Sequence, residues 1–145
     1  MRKQKGFSLI ELLIVVAIIL IIAAIAIPNL LRSRIAANEA SAVGSMRTIN
    51  TAEVTYNSTY PNVGFSADLT SLAGGACPGT VAQANACIID ANLASATTQA
   101  AAKSGYYFTY APGAQNGLNT QYTLTGQPAN AGTTGVRTFF TNESG

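Results

Sequence analysis

The 145-residue sequence predicts an α+β protein in which a long N-terminal helix packs on a small antiparallel β-sheet. Three observations predict this fold class. An apolar run extends from Phe7 to Ile27, and a segment with the periodicity of an amphipathic helix follows, from Asn29 to about Asn57. Three strand-like runs, separated by turn residues, then come near the C-terminus.

The apolar run is the most informative segment of the chain. Its only polar side chains are Ser8 and Glu11. At about 1.5 Å per residue the run is long enough to cross a hydrocarbon core of about 30 Å. A carboxylate inside such a run costs about 3 kcal/mol on insertion scales and is usually functional. Glu11 is therefore a candidate functional residue.

Pro28 follows the apolar run. It has no N–H to donate to the carbonyl of Ala24, so we expect a kink in a helix that otherwise continues. Beyond it, apolar residues recur at steps of 3, 4 or 7 and predict one packing face: Leu31, Ile35, Ala42, Met46, Ile49 and Tyr56. We expect most charged residues elsewhere on the helix: Arg32, Arg34, Glu39, Arg47 and Glu53.

Tyr60-Pro61 ends the helical pattern. Residues 61–104 are rich in turn residues, with a short helix expected near 88–103. Strands are predicted at 105–111, 121–126 and 136–142, with turns at Gly113, Asn116-Gly117 and 128–135. The apolar face of this antiparallel meander, which we expect to pack on the helical stripe, draws on Tyr106, Phe108, Tyr110, Tyr122, Leu124 and Phe139.

The composition gives no case for an enzyme. The chain has no histidine, which is the usual general base and the commonest metal ligand, and no acidic or cysteine cluster replaces it. We therefore expect no catalytic residue, no metal and no cofactor. Without the three basic residues before Gly6, five Lys or Arg face six Asp or Glu. That balance gives no electrostatic case for a nucleic-acid partner.

The string from Lys5 to Glu11, KGFSLIE, continued by LLIVVAII, resembles the prepilin signature of type IV pilins and type II secretion pseudopilins. The resemblance implies that a dedicated peptidase cuts between Gly6 and Phe7 and that Phe7 is then N-methylated. Glu11 becomes the fifth mature residue. The similarity is close over residues 5–58, and residues 105–108 and 132–139 resemble the C-terminal sheet of pilin-like proteins.

This resemblance implies three parts in the chain. Residues 1–6 are a cleaved basic leader, residues 7–58 are a long helix, and residues 59–145 are a globular head. Within the helix, residues 7–28 are transmembrane and later form the filament core. The basic leader stays cytoplasmic, so the C-terminus lies outside the bacterial inner membrane before assembly, and the mature subunit ends in an extracellular pilus.

The partners implied are identical subunits in a helical filament, the prepilin peptidase, the assembly ATPase and the inner-membrane platform. Within the filament, the resemblance suggests that Glu11 of one subunit meets the Phe7 amine of its neighbour and sets the register. Adhesion, twitching motility and DNA uptake are possible roles of the family that these residues do not distinguish.

Cys77 and Cys87 are the only cysteines. In an extracytoplasmic head we expect them to form a disulfide, because that compartment is oxidising. Closing this 11-residue loop contributes about 3 kcal/mol in the chain-entropy model. A pair of free thiols is the alternative.

Other interpretations stay open. An ordinary signal peptide would use Ala24-Ile25-Ala26 as its cleavage site, and a plain single-pass anchor would explain the length and charges but not Gly6-Phe7 or Glu11. A pseudopilin of type II secretion, a minor pilin and a membrane-anchored binding module are the functional alternatives. Major pseudopilins carry an acidic calcium loop near the C-terminus, whereas Glu143 is the only acid after Asp90.

Overall fold

The structure is a computed structural model that describes residues 6–74, 77 and 81–145. The chain divides into two compact units, residues 1–34 and 35–145. Helix α1 (Leu9–Thr59) contributes residues to both. Of the predicted leader, residues 1–5 lie outside the described residues and Gly6 lies within them.

The first unit consists of the apolar part of α1 and the residues before it. Its large apolar side chains, from Phe7 to Leu31, are exposed in the single chain. By length and composition α1 could cross a membrane, and no other described helix meets that criterion. Pro28 lies inside α1, so the prediction of a continuing helix is confirmed, while the kink at Pro28 stays a prediction.

Helix α1 ends at Thr59, one or two residues beyond the predicted end. The next residue, Tyr60, is disfavoured in the helical region because Pro61 follows it. Its N–H still donates to the carbonyl of Tyr56 at 2.8 Å, which closes the last turn.

Two short helices follow, α2 (Leu69–Ala73) and α3 (Ala91–Ser95), and each begins at an aspartate that caps it. The sequence did not predict α2. The short helix expected near 88–103 is present as α3, which covers only the first part of that range. The carbonyl of Ala96 accepts a hydrogen bond from the N–H of Phe108 at 2.7 Å. The helix ends because Ala96 leaves the helical region, with φ −74° and ψ +49°, and only a 3₁₀ turn (Gln99–Ala101) follows.

The sheet is an antiparallel meander in the order β1 (Tyr106–Gln115), β2 (Leu118–Pro128), β3 (Phe139–Asn142), as predicted. Both β1 and β2 are longer than predicted. Gly113, predicted as a turn, lies within β1 at an irregularity in its pairing with β2. The turn is Asn116-Gly117, where φ is +53° and +84°, as a type I′ hairpin turn requires.

The core lies in the second unit, between α1, the short helices and the sheet. The predicted apolar face is confirmed, because Tyr106, Phe108, Tyr122 and Leu124 are buried and Tyr110 and Phe139 are partly buried. Their partners on α1 are Ala42, Met46, Ile49, Ala52 and Tyr56. Leu31, predicted on the same stripe, is exposed, since it belongs to the first unit.

Candidate functional site

The Gly6–Phe7 bond lies ahead of the first turn of α1, in non-helical backbone. A side chain at Gly6 would meet no atom within 4 Å, and Phe7 is 85% exposed. A peptidase must bind the bond it cuts in an open, extended form. The Gly6–Phe7 bond lies outside the helix, whereas a bond inside the helix would have to unwind first.

Glu11 is positioned by the first turn of α1. The backbone N–H of Ser8 donates to Oε2 of Glu11 at 2.9 Å, and the Ser8 carbonyl accepts from the N–H of Leu12 at 3.3 Å. Ser8 and Glu11 thus have the spacing and one of the two hydrogen bonds of a capping box. A carboxylate at this position also interacts favourably with the helix dipole. The S-x-x-E spacing of Ser8 and Glu11 is the sequence signal for this role, and it was not among the predictions above.

The expected disulfide between Cys77 and Cys87 is confirmed, with the two Cα atoms 5.8 Å apart. The segment that it closes is tied to the rest of the second unit. The hydroxyl of Tyr56 on α1 donates to the carbonyl of Gln83 at 2.8 Å, and the N–H of Ala86 donates to the carbonyl of Ser71 at 2.9 Å. The bridge therefore belongs to the packing of this unit.

Glu39 is buried, although the sequence pattern predicts it off the packing face. Its carboxylate accepts hydrogen bonds from the N–H groups of Val136 and Arg137 at 3.0 and 3.2 Å. It also accepts from Nε of Arg137 at 2.7 Å, and Nη2 lies 2.6 Å from Oε2. The N–H of Val136 and the Arg137 groups hold the pKa of Glu39 below its ordinary value. Because Glu39 takes these two backbone donors, β3 starts at Phe139 and not at residue 136 as predicted.

Glu53 is fully buried and was also expected off the packing face. It accepts hydrogen bonds from the N–H of Ser66 at 2.9 Å and from the hydroxyl of Ser66 at 2.5 Å. Neither of the two ion pairs among the described residues involves Glu53. Burial therefore raises the pKa of this carboxyl.

The described residues contain no group of three or more His, Cys, Asp or Glu side chains placed to hold a metal ion. Glu39 and Glu53 are each occupied by donors from the chain itself. The N-terminal segment differs from the rest of the described chain in its exposed apolar side chains and in the one carboxylate among them, Glu11.

Residues 1–27 match the family model described as the prokaryotic N-terminal methylation motif. The chain is 67% identical over 39 residues to the type IV wide pilus major component PilA4 of Thermus thermophilus, a match that covers 27% of this chain and 30% of the relative. It is 43% identical over 54 residues to the type IV major pilin protein PilA of Myxococcus xanthus, covering 37% of this chain and 24% of the relative.

A third match, 41% identical over 64 residues, is to the type II secretion system core protein G of Vibrio cholerae, and it covers 42% of this chain and 44% of the relative. The matches thus span between 24% and 44% of the length of these curated relatives. No solved structure matches the chain significantly. The chain carries the N-terminal motif of prepilin-type proteins. Its relatives are type IV pilins and a type II secretion pseudopilin.

Proposed function

We propose that this protein is the structural subunit of a type IV pilus, cut between Gly6 and Phe7, N-methylated at Phe7 and polymerised through α1. One observation carries the proposal: the exposed apolar part of α1, up to Leu31, begins two residues after Phe7 and contains one carboxylate, Glu11. We infer a structural role, since the pilin relatives are named as filament components.

The exposed apolar surface of the first unit must be buried by something. Soluble monomers rarely expose contiguous apolar patches larger than a few hundred Å². Before assembly the bacterial inner membrane covers the helix, with the leader in the cytoplasm and the C-terminus outside. After assembly the same helices of neighbouring subunits cover one another in an extracellular filament. The prepilin peptidase and the assembly platform act at the transition between the two states.

Glu11 supplies an interaction that depends on position, which apolar burial does not. Hydrophobic burial is non-directional, so it does not select one axial step between neighbouring helices. An unpaired charge inside the filament is strongly disfavoured, and the Phe7 amine created by cleavage has the same problem. Pairing Glu11 of one subunit with the Phe7 amine of the next compensates both charges only at the correct step. In the single chain, the N–H of Ser8 holds the carboxylate at the helix N-terminus.

The second candidate is a pseudopilin of type II secretion, and the match to a core protein of that system favours it. The resemblance implies a calcium loop of acidic residues near the C-terminus of major pseudopilins. Calcium prefers several oxygen ligands, usually including carboxylates, and Glu143 is the only acid after Asp90. A calcium-dependent rise in the thermal stability of the purified chain would favour this candidate over the pilus subunit.

The test uses strains whose only copy of the gene carries Glu11→Leu or Glu11→Gln. The two variants distinguish the role of Glu11 as a helix cap from the role of its charge. Leucine removes both functions, whereas the glutamine amide oxygen can still accept the hydrogen bond from the Ser8 N–H. We expect both proteins to reach the membrane, to be cut at Gly6 and to give no surface filaments. Ile10→Leu is the matched control, and it should assemble normally.

Membrane abundance, N-terminal mass and electron microscopy of sheared filaments are the three measurements. Abundant Glu11→Gln filaments would show that the charge does not set the register and that Glu11 acts only as a helix cap. A wild-type strain without filaments that contain this chain would contradict the proposed function itself.

A further inference from the structure

Two arginines lie at the C-terminal end of the exposed apolar part of α1. Arg32 and Arg34 are exposed, and neither forms an ion pair within the part of the chain that the structure describes. By contrast, Arg137 and Lys103 in the second unit each have a carboxylate partner. Arg47 in the second unit is also exposed without an ion pair, but only Arg32 and Arg34 lie at the end of the apolar part of α1, where their guanidiniums are free to bind a partner outside the chain.

The spacing of the charges matches the thickness of a membrane. Glu11 and Arg32 lie on the same continuous helix, 21 residues apart, which corresponds to about 32 Å along its axis. The hydrocarbon core is about 30 Å thick. When Glu11 lies at one interface, Arg32 reaches the other. A slip of one turn, about 5.4 Å, would draw one of the two charges into hydrocarbon.

The positions of the two arginines on the helix indicate what kind of partner they fit. Residues two apart on an α-helix do not share a face, because each residue turns the helix by about 100°. A single carboxylate on a neighbouring chain can meet one of them only. Headgroup phosphates surround an inserted helix, and guanidinium binds phosphate through paired hydrogen bonds while its methylene stem stays in apolar surroundings.

We propose that Arg32 and Arg34 bind phospholipid phosphates in the leaflet opposite the leader and so fix the depth of α1 in the membrane. This inference rests on the membrane-inserted stage of the proposed function. The pair matters most after cleavage, because the cut removes Arg2, Lys3 and Lys5 from the other end. From then on the two arginines keep Glu11 and the new Phe7 amine at the cytoplasmic interface.

The experiment measures depth with a single tryptophan, since the chain has none of its own. Leu30→Trp places the reporter at an exposed position one helical turn before Arg34. The full mature chain is reconstituted in vesicles of phosphatidylethanolamine and phosphatidylglycerol, some with acyl chains brominated near the bilayer centre. Three backgrounds are compared: unchanged, Arg32→Gln with Arg34→Gln, and Arg47→Gln as the control. Arg47 is an exposed arginine on α1 in the second unit.

We expect the double glutamine variant to shift the tryptophan emission to shorter wavelength and to increase its quenching by the deep bromines. The Arg47→Gln control should match the unchanged chain. Arg32→Lys with Arg34→Lys should restore most of the original emission, because lysine keeps the charge. Free inorganic phosphate should not alter the signal in any variant.

An emission maximum that stays the same in the double variant would overturn the proposal. Loss of filaments in cells, together with unchanged depth in vesicles, would assign the arginines to carboxylates of a neighbouring copy and would also overturn it. Failure of the unchanged chain to float with vesicles would contradict both this proposal and the membrane stage of the proposed function. Correct depth without wild-type filaments would contradict the proposed function alone.

Discussion

Nε of Arg137 lies 2.7 Å from Oε2 of Glu39, although the two residues are 98 positions apart in the chain. The arginine side chain is 70% exposed, whereas the carboxylate side chain is 7% exposed. The guanidinium also lies over the ring of Phe139, 5.6 Å from its centre. One surface arginine thus joins the first helical turns of the second unit to the start of β3.

The first prediction concerns acid stability. The pKa of Glu39 is lowered, chiefly by the N–H of Val136 and by Arg137. A lowered pKa stabilises the folded state above the ordinary pKa of the group, and that stability is lost as the pH falls through the folded value. We expect Glu39→Gln to unfold at lower temperature than wild type near neutral pH and to converge with it at strongly acidic pH. Circular dichroism melts of the full chain in detergent measure this, with Arg47→Gln as control. A constant difference between wild type and Glu39→Gln at every pH would contradict the ionic contribution.

The second prediction concerns Glu53, whose contribution to stability changes with pH in the opposite direction to that of Glu39. Burial raises the pKa of Glu53, so its contribution to stability is full below its ordinary pKa and declines as the pH rises through the raised value. Glu53→Gln should remove this decline. The amide can donate to the hydroxyl oxygen of Ser66, while that hydroxyl donates to the Asp68 carbonyl, 3.0 Å away.

Glu53→Leu is the contrasting variant, since it leaves the N–H of Ser66 without an acceptor and should cost about 1–3 kcal/mol across the pH range. Denaturant unfolding at mildly acidic and neutral pH compares the three chains. If the free energies of unfolding of wild type and Glu53→Gln changed in parallel with pH, Glu53 would not be the titrating group.

The third prediction compares two glycines that alanine should affect in opposite directions. A Cβ on Gly135 would collide with the ring and hydroxyl of Tyr106, a fully buried residue that donates to the Arg137 carbonyl at 2.7 Å. Gly135→Ala should therefore destabilise the chain by about 1–3 kcal/mol, as overpacking does. Gly44→Ala meets no atom within 4 Å on α1 and should stabilise it by about 1 kcal/mol. Equal effects in denaturant unfolding would show that the Tyr106 contact is not tight.

The fourth prediction concerns processing. We expect the mature chain to begin at Phe7 with one added methyl group, and Gly6→Val to accumulate uncut, because the peptidase must approach the backbone at Gly6 closely. Intact-mass analysis of membrane fractions measures both the start of the mature chain and the uncut Gly6→Val chain. Val54→Ile, an exposed change on α1 outside the first unit, is the control and should be cut normally. A mature chain beginning at Met1 or at Ile27 would rule out prepilin processing.

Much of the fold followed from sequence because its signals are periodic. Strand-like runs separated by turn residues identified β1 and β2, and the long apolar run identified the first part of α1. Strand ends were less predictable, since they depend on partners distant in sequence. Gly113 was predicted as a turn because glycine favours turns, but pairing with Gln121 keeps it in β1.

The buried glutamates could not be assigned by residue type alone, because charged side chains are rarely buried without a partner. Their spacing along the helix did indicate that they would be buried. Glu39 and Glu53 lie seven residues before and after Met46, on the same stripe as the apolar core positions. Their partners, Arg137 and Ser66, could not be predicted, because only the folded chain brings these residues to the two glutamates.

The contacts between α1 and the last part of the chain also determine the order in which the protein can fold as it is made. Asn38 donates to the Thr134 carbonyl at 2.8 Å, and Asn50 donates to the hydroxyl of Thr141 at 2.9 Å. The ribosome makes α1 long before these partners exist, and contacts between residues far apart in sequence form slowly. The side chain of Met46 lies beside Gly126 on β2, so the nascent chain must wait, with Met46 and Ile49 still uncovered, until the strands that pack on α1 have been synthesised. A premature stop codon before Phe139 would leave these residues without part of their cover, so even late truncations should yield chains that are degraded rather than shortened subunits.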